Sequence, residues 1–97
     1  MATYISLVNY TDQGIKTIKD SPKRLAAAEK MFAEYKVKIK EFYLLMGEYD
    51  IMVVLEAPDD ESVSKAALKL GSLGNVRTKT MRAYPRQEFD RLAGGIS

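Results

Sequence analysis

Two strand-like segments separated by only two residues constrain the fold of this chain more than any other feature. Residues 36–46 (KVKIKEFYLLM) begin with alternating basic and apolar side chains and end in a continuous apolar run. Residues 49–57 (YDIMVVLEA) form a second apolar segment, and residues 47–48 (GE) alone lie between the two. A two-residue connection with glycine first is typical of a type II′ hairpin turn. We therefore predict an antiparallel hairpin in which Met46 pairs with Tyr49.

The rest of the chain alternates between strand and helix patterns. Residues 4–10 and residues 75–84 are rich in β-branched and aromatic side chains, which favours strands. Two other segments have apolar side chains at helical intervals. These side chains are Leu25, Ala28, Phe32 and Tyr35 in the first segment, and Val63, Ala66, Ala67 and Leu70 in the second. A short helical turn capped by Thr11 precedes the first of these helices, for which Ser21 is the predicted cap.

The predicted order of elements is β-α-β-β-α-β, the split βαβ pattern. This order predicts an α+β, ferredoxin-like sandwich: a four-stranded antiparallel sheet in the order 4-1-3-2 with both helices on one face. Because 97 residues are the size of one domain, we assign residues 1–97 to a single domain. Residues 85–92 are expected to form a short terminal helix and residues 93–97 a flexible tail.

Both faces of the predicted sheet carry apolar side chains, although two helices can cover only one face. One face carries Phe42, Leu44, Ile51, Val53 and Leu55, and the other carries Val37, Ile39, Tyr43, Leu45, Met52 and Val54. A face in contact with water would be polar, so we expect the uncovered face to bind a second copy in a homodimer or higher oligomer. Lys38 and Lys40 fall on the face assigned to the helices, which either a β-bulge or protruding lysine stems would explain.

The composition excludes several kinds of site. The chain has no cysteine and no histidine, which excludes disulfides, thiolate zinc sites and catalysis by Ser-His-Asp or Cys-His groups. A net charge of +2 is too balanced to indicate nucleic acid or an anionic membrane. The longest apolar run, residues 51–55, is too short to cross a bilayer. We expect a cytoplasmic protein that binds neither nucleic acid nor membrane and that uses no metal or cofactor.

Five short tracts of the chain resemble the GYD-domain family, small bacterial proteins without a settled function. The tracts are Thr11-Asp12-Gln13-Gly14, Phe42-Tyr43, Gly47-Glu48-Tyr49-Asp50, Ala57-Pro58-Asp59 and Ser72-Leu73-Gly74-Asn75-Val76-Arg77-Thr78. The resemblance covers nearly the whole chain, from Tyr4 to about Phe89. It implies membership of the dimeric α/β-barrel class, in which two sheets pack through their uncovered faces. It implies no activity and no catalytic residues.

The topology predicts that three polar segments meet at one edge of the sheet. Residues 11–14 end the first strand, residues 47–50 form the hairpin turn, and residues 74–77 begin the last strand. Such a group of acids, amides, an arginine and a phenol at one end of a fold is a candidate ligand site. The candidate ligand-binding residues are Thr11, Asp12, Gln13, Tyr43, Gly47, Tyr49, Asp50, Asn75 and Arg77. Structural roles explain several of them as well: a tight turn, a helix cap or the capping of backbone amides.

Two function classes remain. We favour a self-associating module that binds a small apolar or aromatic molecule as a regulator. The alternative is a cofactor-independent enzyme, like the monooxygenases and isomerases of the dimeric α/β-barrel class. Its acid–base groups would have to be Glu41, Tyr43, Tyr49, Asp50 and Arg77. RNA binding is disfavoured because the third strand lacks the basic and aromatic pattern of RNA-recognition motifs.

Overall fold

A computed structural model of the protein describes all 97 residues. The elements are β1 (Ala2–Tyr10), α1 (Asp12–Lys16), a 3₁₀ turn (Ile18–Asp20), α2 (Ser21–Glu34), β2 (Lys38–Leu44), β3 (Ile51–Ala57), α3 (Asp60–Ser72), β4 (Val76–Ala83) and α4 (Arg86–Gly94). The four strands form one antiparallel sheet in the order β2-β3-β1-β4. The predicted α+β architecture and strand order are therefore confirmed.

Side chains that accept hydrogen bonds from backbone amides determine where two helices begin. The hydroxyl of Thr11 accepts a hydrogen bond from the amide of Gly14 at 3.1 Å and caps α1, as predicted. The carboxylate of Asp59 caps α3 by accepting a backbone amide in the first turn, which lowers the pKa of Asp59. The prediction that Ser21 caps α2 is wrong. Ser21 is the first residue of that helix, and its hydroxyl lies 2.7 Å from the hydroxyl of Tyr10.

The β2–β3 hairpin has the predicted register but a longer turn. The ladder ends at the pair of Leu44 and Ile51, which is the register that would pair Met46 with Tyr49. Beyond that pair the amide of Leu45 still donates to the carbonyl oxygen of Asp50 at 2.8 Å, and residues 46–49 form a loop. The predicted two-residue type II′ turn is therefore wrong, although the side chains of β3 face the predicted sides.

A β-bulge at Lys40 interrupts β2. Ile39 and Glu41 pair with consecutive residues of β3, so Lys40 has no partner there. The bulge reverses the alternation before it. Lys38 consequently lies on the uncovered face, whereas Val37 and Ile39, which were predicted on that face, belong to the core or pack against it. The bulge was one of two explanations for the lysine positions, and it is confirmed.

Helices α2 and α3 cover one face of the sheet and form the core there. The buried apolar residues are Tyr4, Val8, Phe32, Val37, Ile51, Val53, Leu55, Ala57, Val63, Ala66 and Val76. Along β3 every second residue is buried, as expected for a sheet with one covered face. Ser6 is buried among them, and its hydroxyl lies 2.9 Å from the hydroxyl of Thr80. No buried side-chain polar atom lacks a hydrogen-bond partner.

The opposite face of the sheet is covered by no element of this chain, and we call it the open face. Its apolar side chains are Ile5, Leu7, Tyr43, Met52, Val54 and Met81. Tyr43 and Met81 are 47% and 44% exposed. The sheet therefore carries apolar side chains on both faces, as its sequence predicts. On the face that meets solvent they stand among the charged residues Lys38, Glu41, Glu56, Arg77 and Lys79.

Helix α4 differs from the other long helices because it makes few contacts with the body of the protein. An ion pair between Arg82 and Glu88, at 3.4 Å, joins its first turn to β4. The same guanidinium lies 4.5 Å from the ring centre of Tyr84. The helix continues to Gly94, two residues into the segment 93–97 that was predicted to be a flexible tail. None of the helices has both the length and the apolar character that crossing a bilayer requires.

Candidate functional site

The start of α1, the β2–β3 loop and the start of β4 meet at one end of the sheet. We call this region the hairpin edge (residues 11–14, 47–50 and 74–77). The amide of Thr11 donates to the carbonyl oxygen of Asn75 at 3.1 Å. The hydroxyl of Thr11 donates to the backbone carbonyl just before Asn75 at 2.6 Å. These bonds join the first and last strands directly across the edge.

Gln13 and Gly14 fix α1 against β4. The side-chain amide of Gln13 donates to Oδ1 of Asn75 at 3.0 Å and to the carbonyl oxygen of Leu73 at 3.3 Å. A Cβ at Gly14 would overlap the backbone carbonyl of Asn75. The glycine of this tract is therefore required by the close approach of two backbones.

The carboxylate of Asp50 caps the backbone of β1. Its Oδ2 accepts a hydrogen bond from the amide of Tyr10 at 2.9 Å. The amide of Asp50 in turn donates to the carbonyl oxygen of Val8 at 3.0 Å and to the side-chain oxygen of Asn9 at 3.1 Å. Asp50 therefore has the structural role that its sequence allows, and it holds the loop against the end of β1.

The two candidate tyrosines lie apart from one another and have different partners. The hydroxyl of Tyr49 accepts from the ammonium of Lys79 at 3.5 Å, and that ammonium lies 5.5 Å from the ring centre. Tyr43 lies on the open face of β2 and donates to Glu41 at 3.1 Å, a hydrogen bond that raises the pKa of the phenol. Tyr43 is therefore the one candidate residue that lies outside the hairpin edge.

The three remaining candidates are exposed. Asp12 lies in the first turn of α1, and Arg77 lies on β4 opposite Asn9. Gly47 is part of the β2–β3 loop and has a φ of 118°, a conformation that glycine adopts without strain. The hairpin edge thus brings most of the predicted residues together, but the side chains of Thr11, Gln13 and Asp50 bond to other groups of the protein. That these residues bind a ligand stays a prediction.

An apolar cavity of about 290 Å³ lies beside the hairpin edge, between α2 and the covered face of the sheet. Its apolar walls include Val8, Ala28, Met31, Phe42, Ile51 and Leu70. The volume is close to the lower end of the usual range for small-molecule sites, roughly 300 Å³. Among the predicted site residues, Asn75 alone lines this cavity. The run of three alanines at residues 26–28 is the sequence signal that could have indicated it, because small side chains on α2 leave space above the sheet.

Four polar side chains line the cavity: Tyr10, Ser21, Arg24 and Asn75. The Arg24 guanidinium is directed to the end of α1, where it donates to the carbonyl oxygen of Gly14 at 3.0 Å. No carboxylate lines the cavity, and no group of three acidic side chains is placed to hold a metal ion. The arrangement suits an uncharged apolar or aromatic molecule that makes few hydrogen bonds.

A separate polar cluster lies at the opposite end of β1. The phenol of Tyr4 donates to Oδ1 of Asp60 at 2.5 Å, and the guanidinium of Arg82 lies 5.6 Å from the ring centre of Tyr4. Burial, with a contribution from the hydrogen bond to Asp60, raises the pKa of Tyr4 to about 12. The phenol therefore remains a donor at neutral pH and joins β1 to the first turn of α3.

Crystal structures of other proteins share this fold. The Mycobacterium tuberculosis leucine response regulatory protein LrpA superposes with a TM-score of 0.64 at 15% identity, over 87% of this chain and 51% of LrpA. A Thermus thermophilus protein superposes with a TM-score of 0.56 at 26% identity, over 89% of this chain and all of that chain. The first similarity concerns the fold alone, and both agree with the ferredoxin-like architecture.

Sequence comparison identifies a relative and a family. A Thermus thermophilus protein named glutamine synthetase and cystathionine beta-lyase binding protein is 35% identical over 86 residues, which are 88% of this chain and 90% of that protein. The GYD domain matches residues 4–93, the segment that includes all four strands except the first residues of β1. The chain therefore belongs to the GYD-domain family.

Proposed function

We propose that the protein is a homo-oligomeric regulatory module of the cytoplasm that binds a small apolar or aromatic molecule between α2 and the sheet. The observation that carries this proposal is the cavity of about 290 Å³ next to the hairpin edge. Its walls are apolar and its few polar groups converge near the end of α1, the combination expected of a ligand pocket. A bound ligand would shift α2 relative to the sheet. Because Arg24 on α2 bonds to Gly14 on α1, the shift would also move α1 and the hairpin edge.

Self-association belongs to the same proposal, with the open face as the interface. Its apolar residues extend across all four strands, from Tyr43 on β2 to Met81 on β4. An exposed apolar surface of this kind on a small protein is typical of a contact between proteins. A two-fold pair would bury the same residues of both copies.

A second candidate function is the binding of a metabolic enzyme. The Thermus relative is named for its binding of glutamine synthetase and cystathionine beta-lyase, which favours a protein partner for this chain as well. The two candidates are compatible, because a small molecule between α2 and the sheet leaves the outer surface of the protein free for a protein partner. Mixing the purified protein with each of these two enzymes in sedimentation velocity tests the idea directly. Unchanged sedimentation of both enzymes would contradict it.

The alternative of a cofactor-independent enzyme receives no support from the geometry. No carboxylate lines the cavity, where a substrate would be held. Asp50 is bonded to the backbone of β1, and Glu41 is bonded to Tyr43 on the open face. The carboxylates proposed for acid–base chemistry therefore lie on different parts of the molecule.

Filling the cavity tests the ligand proposal. In Ala28→Phe the new ring occupies the cavity, whereas in Ala26→Phe the same ring is added to an exposed position of the same helix. Native mass spectrometry of the purified protein reports both the assembly state and any retained small molecule. We expect extra mass, or a rise in Tm with small aromatic compounds, for the parent protein and Ala26→Phe but not for Ala28→Phe. Equal behaviour of all three proteins would overturn the proposal.

A further inference from the structure

Helix α4 carries an apolar stripe that remains largely exposed to solvent. Phe89, Leu92 and Ala93 recur at helical spacing, and Ile96 follows one turn later, hydrogen-bonded to the carbonyl of Ala93 at 3.2 Å. Phe89, Leu92 and Ile96 are 57%, 42% and 80% exposed. A helix with such a stripe normally packs it against a core, and here the covered face is already occupied by α2 and α3.

The helix is also held in a defined direction before any partner binds. The Arg82–Glu88 ion pair joins its first turn to β4, and the guanidinium of Arg82 also lies 4.5 Å from the ring centre of Tyr84, just before the helix. The protein is elongated as a result, with extents of 52, 31 and 17 Å and a radius of gyration of 14.6 Å. A compact domain of this length would have a radius of gyration of about 12.5 Å. A projecting, preformed helix loses little conformational entropy when it docks.

The exposed area of the chain indicates a second copy as the partner. The chain exposes 6836 Å², whereas a monomeric protein of 10.9 kDa exposes about 5,600 Å². The surplus of roughly 1,200 Å² exceeds the area of about 800 Å² that each partner buries in a standard interface. The chain therefore has the exposed surface of half a complex.

The open face and α4 both contribute to that exposed area. The four strands have seven to nine residues and span a footprint of about 25 by 19 Å. Helix α4 has nine residues and adds a footprint of about 14 by 10 Å. In a two-fold pair each copy both supplies one α4 and is covered by the other, so the helix enlarges the contact twice.

We propose that α4 is an intersubunit arm that packs its apolar stripe on a second copy of this chain, at the rim of that copy's open face. The helix follows directly from β4, an edge strand whose Met81 and Ala83 lie on the open face, so the arm begins at the border of the surface that the second copy would cover. This inference rests on the proposed self-association and is independent of the cavity.

The test compares two faces of the same helix. Phe89→Asp combined with Leu92→Asp places charge on the stripe, and Gln87→Asp combined with Arg91→Asp places charge on the opposite side of α4. Circular dichroism verifies that each variant folds, and sedimentation equilibrium over a range of concentrations gives the dimer Kd. We expect the stripe variant to weaken the dimer at least about 100-fold, and the control variant to change it less than about fivefold.

The outcomes separate the arm from the sheet contact. Leu7→Asp on the open face is measured in parallel. If the stripe variant keeps the parent Kd while Leu7→Asp dissociates the dimer, the arm proposal is wrong, and the stripe serves a different partner. If the parent protein is monomeric at every concentration, both the self-association and the arm are wrong. Loss of dimer in the stripe variant and in Leu7→Asp, but not in the control, supports both.

Discussion

The two faces of the sheet have similar sequences and different surroundings. On β1, Tyr4 and Val8 point to the covered face and are 3% and 5% exposed. Ile5 and Leu7, from the same strand, point to the open face and are half-buried. Both pairs are large and apolar, so hydrophobicity alone does not decide which side of a strand belongs to the core. What decides it is the right-handed crossover of the two β-α-β connections, which places both long helices on the same side.

The largest expected difference between the faces is in the stability of the folded chain. Leu55→Ala removes a side chain that is 2% exposed in the core, and we expect a loss of about 2–5 kcal/mol in the free energy of unfolding. Val54→Ala, at the neighbouring position, faces the open side, and we expect a loss of less than about 1 kcal/mol in dilute protein. Urea denaturation followed by circular dichroism measures both. Equal losses would mean that the open face is as well packed as the core.

The second expected difference concerns association. Leu7→Asp places a charge in the middle of the open face, where association would have to desolvate it. We expect the folded monomer to persist and the dimer Kd to rise at least about 100-fold. Lys79 pairs with Leu7 in the β1–β4 ladder and lies on the same face. Lys79→Ala therefore serves as a control in which a residue of the open face changes but no charge is introduced. An unchanged Kd in Leu7→Asp would remove the open face from the interface.

The smallest expected difference between the faces is in how the stability of the folded chain depends on alkaline pH. It concerns two tyrosines, one on each face, that both donate a hydrogen bond to a carboxylate. Tyr4 lies on the covered face and has a pKa of about 12, raised from 10.0 chiefly by burial. Because the folded state favours the protonated phenol, this contribution to stability is complete below about pH 10 and is lost as the pH rises from 10 to 12. Tyr43 donates to Glu41 on the open face, where it is 47% exposed.

Unfolding experiments at a series of alkaline pH values distinguish these tyrosines. We expect Tyr4→Phe to flatten the decline in stability between pH 10 and pH 12. The same change at Tyr43 should leave the decline close to that of the parent. Absorbance near 295 nm follows formation of the phenolate. A normal phenolate titration for Tyr4 in the folded protein would contradict the burial that the structure gives it.

The sequence predicts the architecture better than it predicts the details. The period of two along β3 determined the face of each of its residues, and the same register holds from Glu41 to Ile51 even though the turn is longer. The bulge was harder to place, because alternation shows which residues share a face but not where the register shifts. In residues 36–41 the register of the hairpin puts only lysines on the covered side, whereas a shift of one residue puts Val37 and Ile39 there. Tertiary contact with α2, which covers Val37 and Ile39, selects between them.

The sequence predicted where the candidate residues lie, but not which groups they contact. Chain topology correctly brought Thr11, Asp50 and Asn75 to the same edge, since strand direction follows from the element order. It could not show that these groups would bond to backbone amides and carbonyls instead of facing a ligand. The cavity was not predicted because it depends on the distance between α2 and the sheet. That distance is set by the packing of many side chains at once.

The bulge at Lys40 also bears on how this strand tolerates changes in length. Removing one residue from a strand normally turns every preceding side chain to the wrong face. Here the ladder already passes from the Ile39–Leu55 pair to the Glu41–Val54 pair, so a chain lacking Lys40 would keep both pairs and become a regular strand. The residue that would be lost makes a surface ion pair with Glu56, at 3.6 Å, a contact worth little in water. The deletion of one residue is thus compatible with the fold at this position in β2.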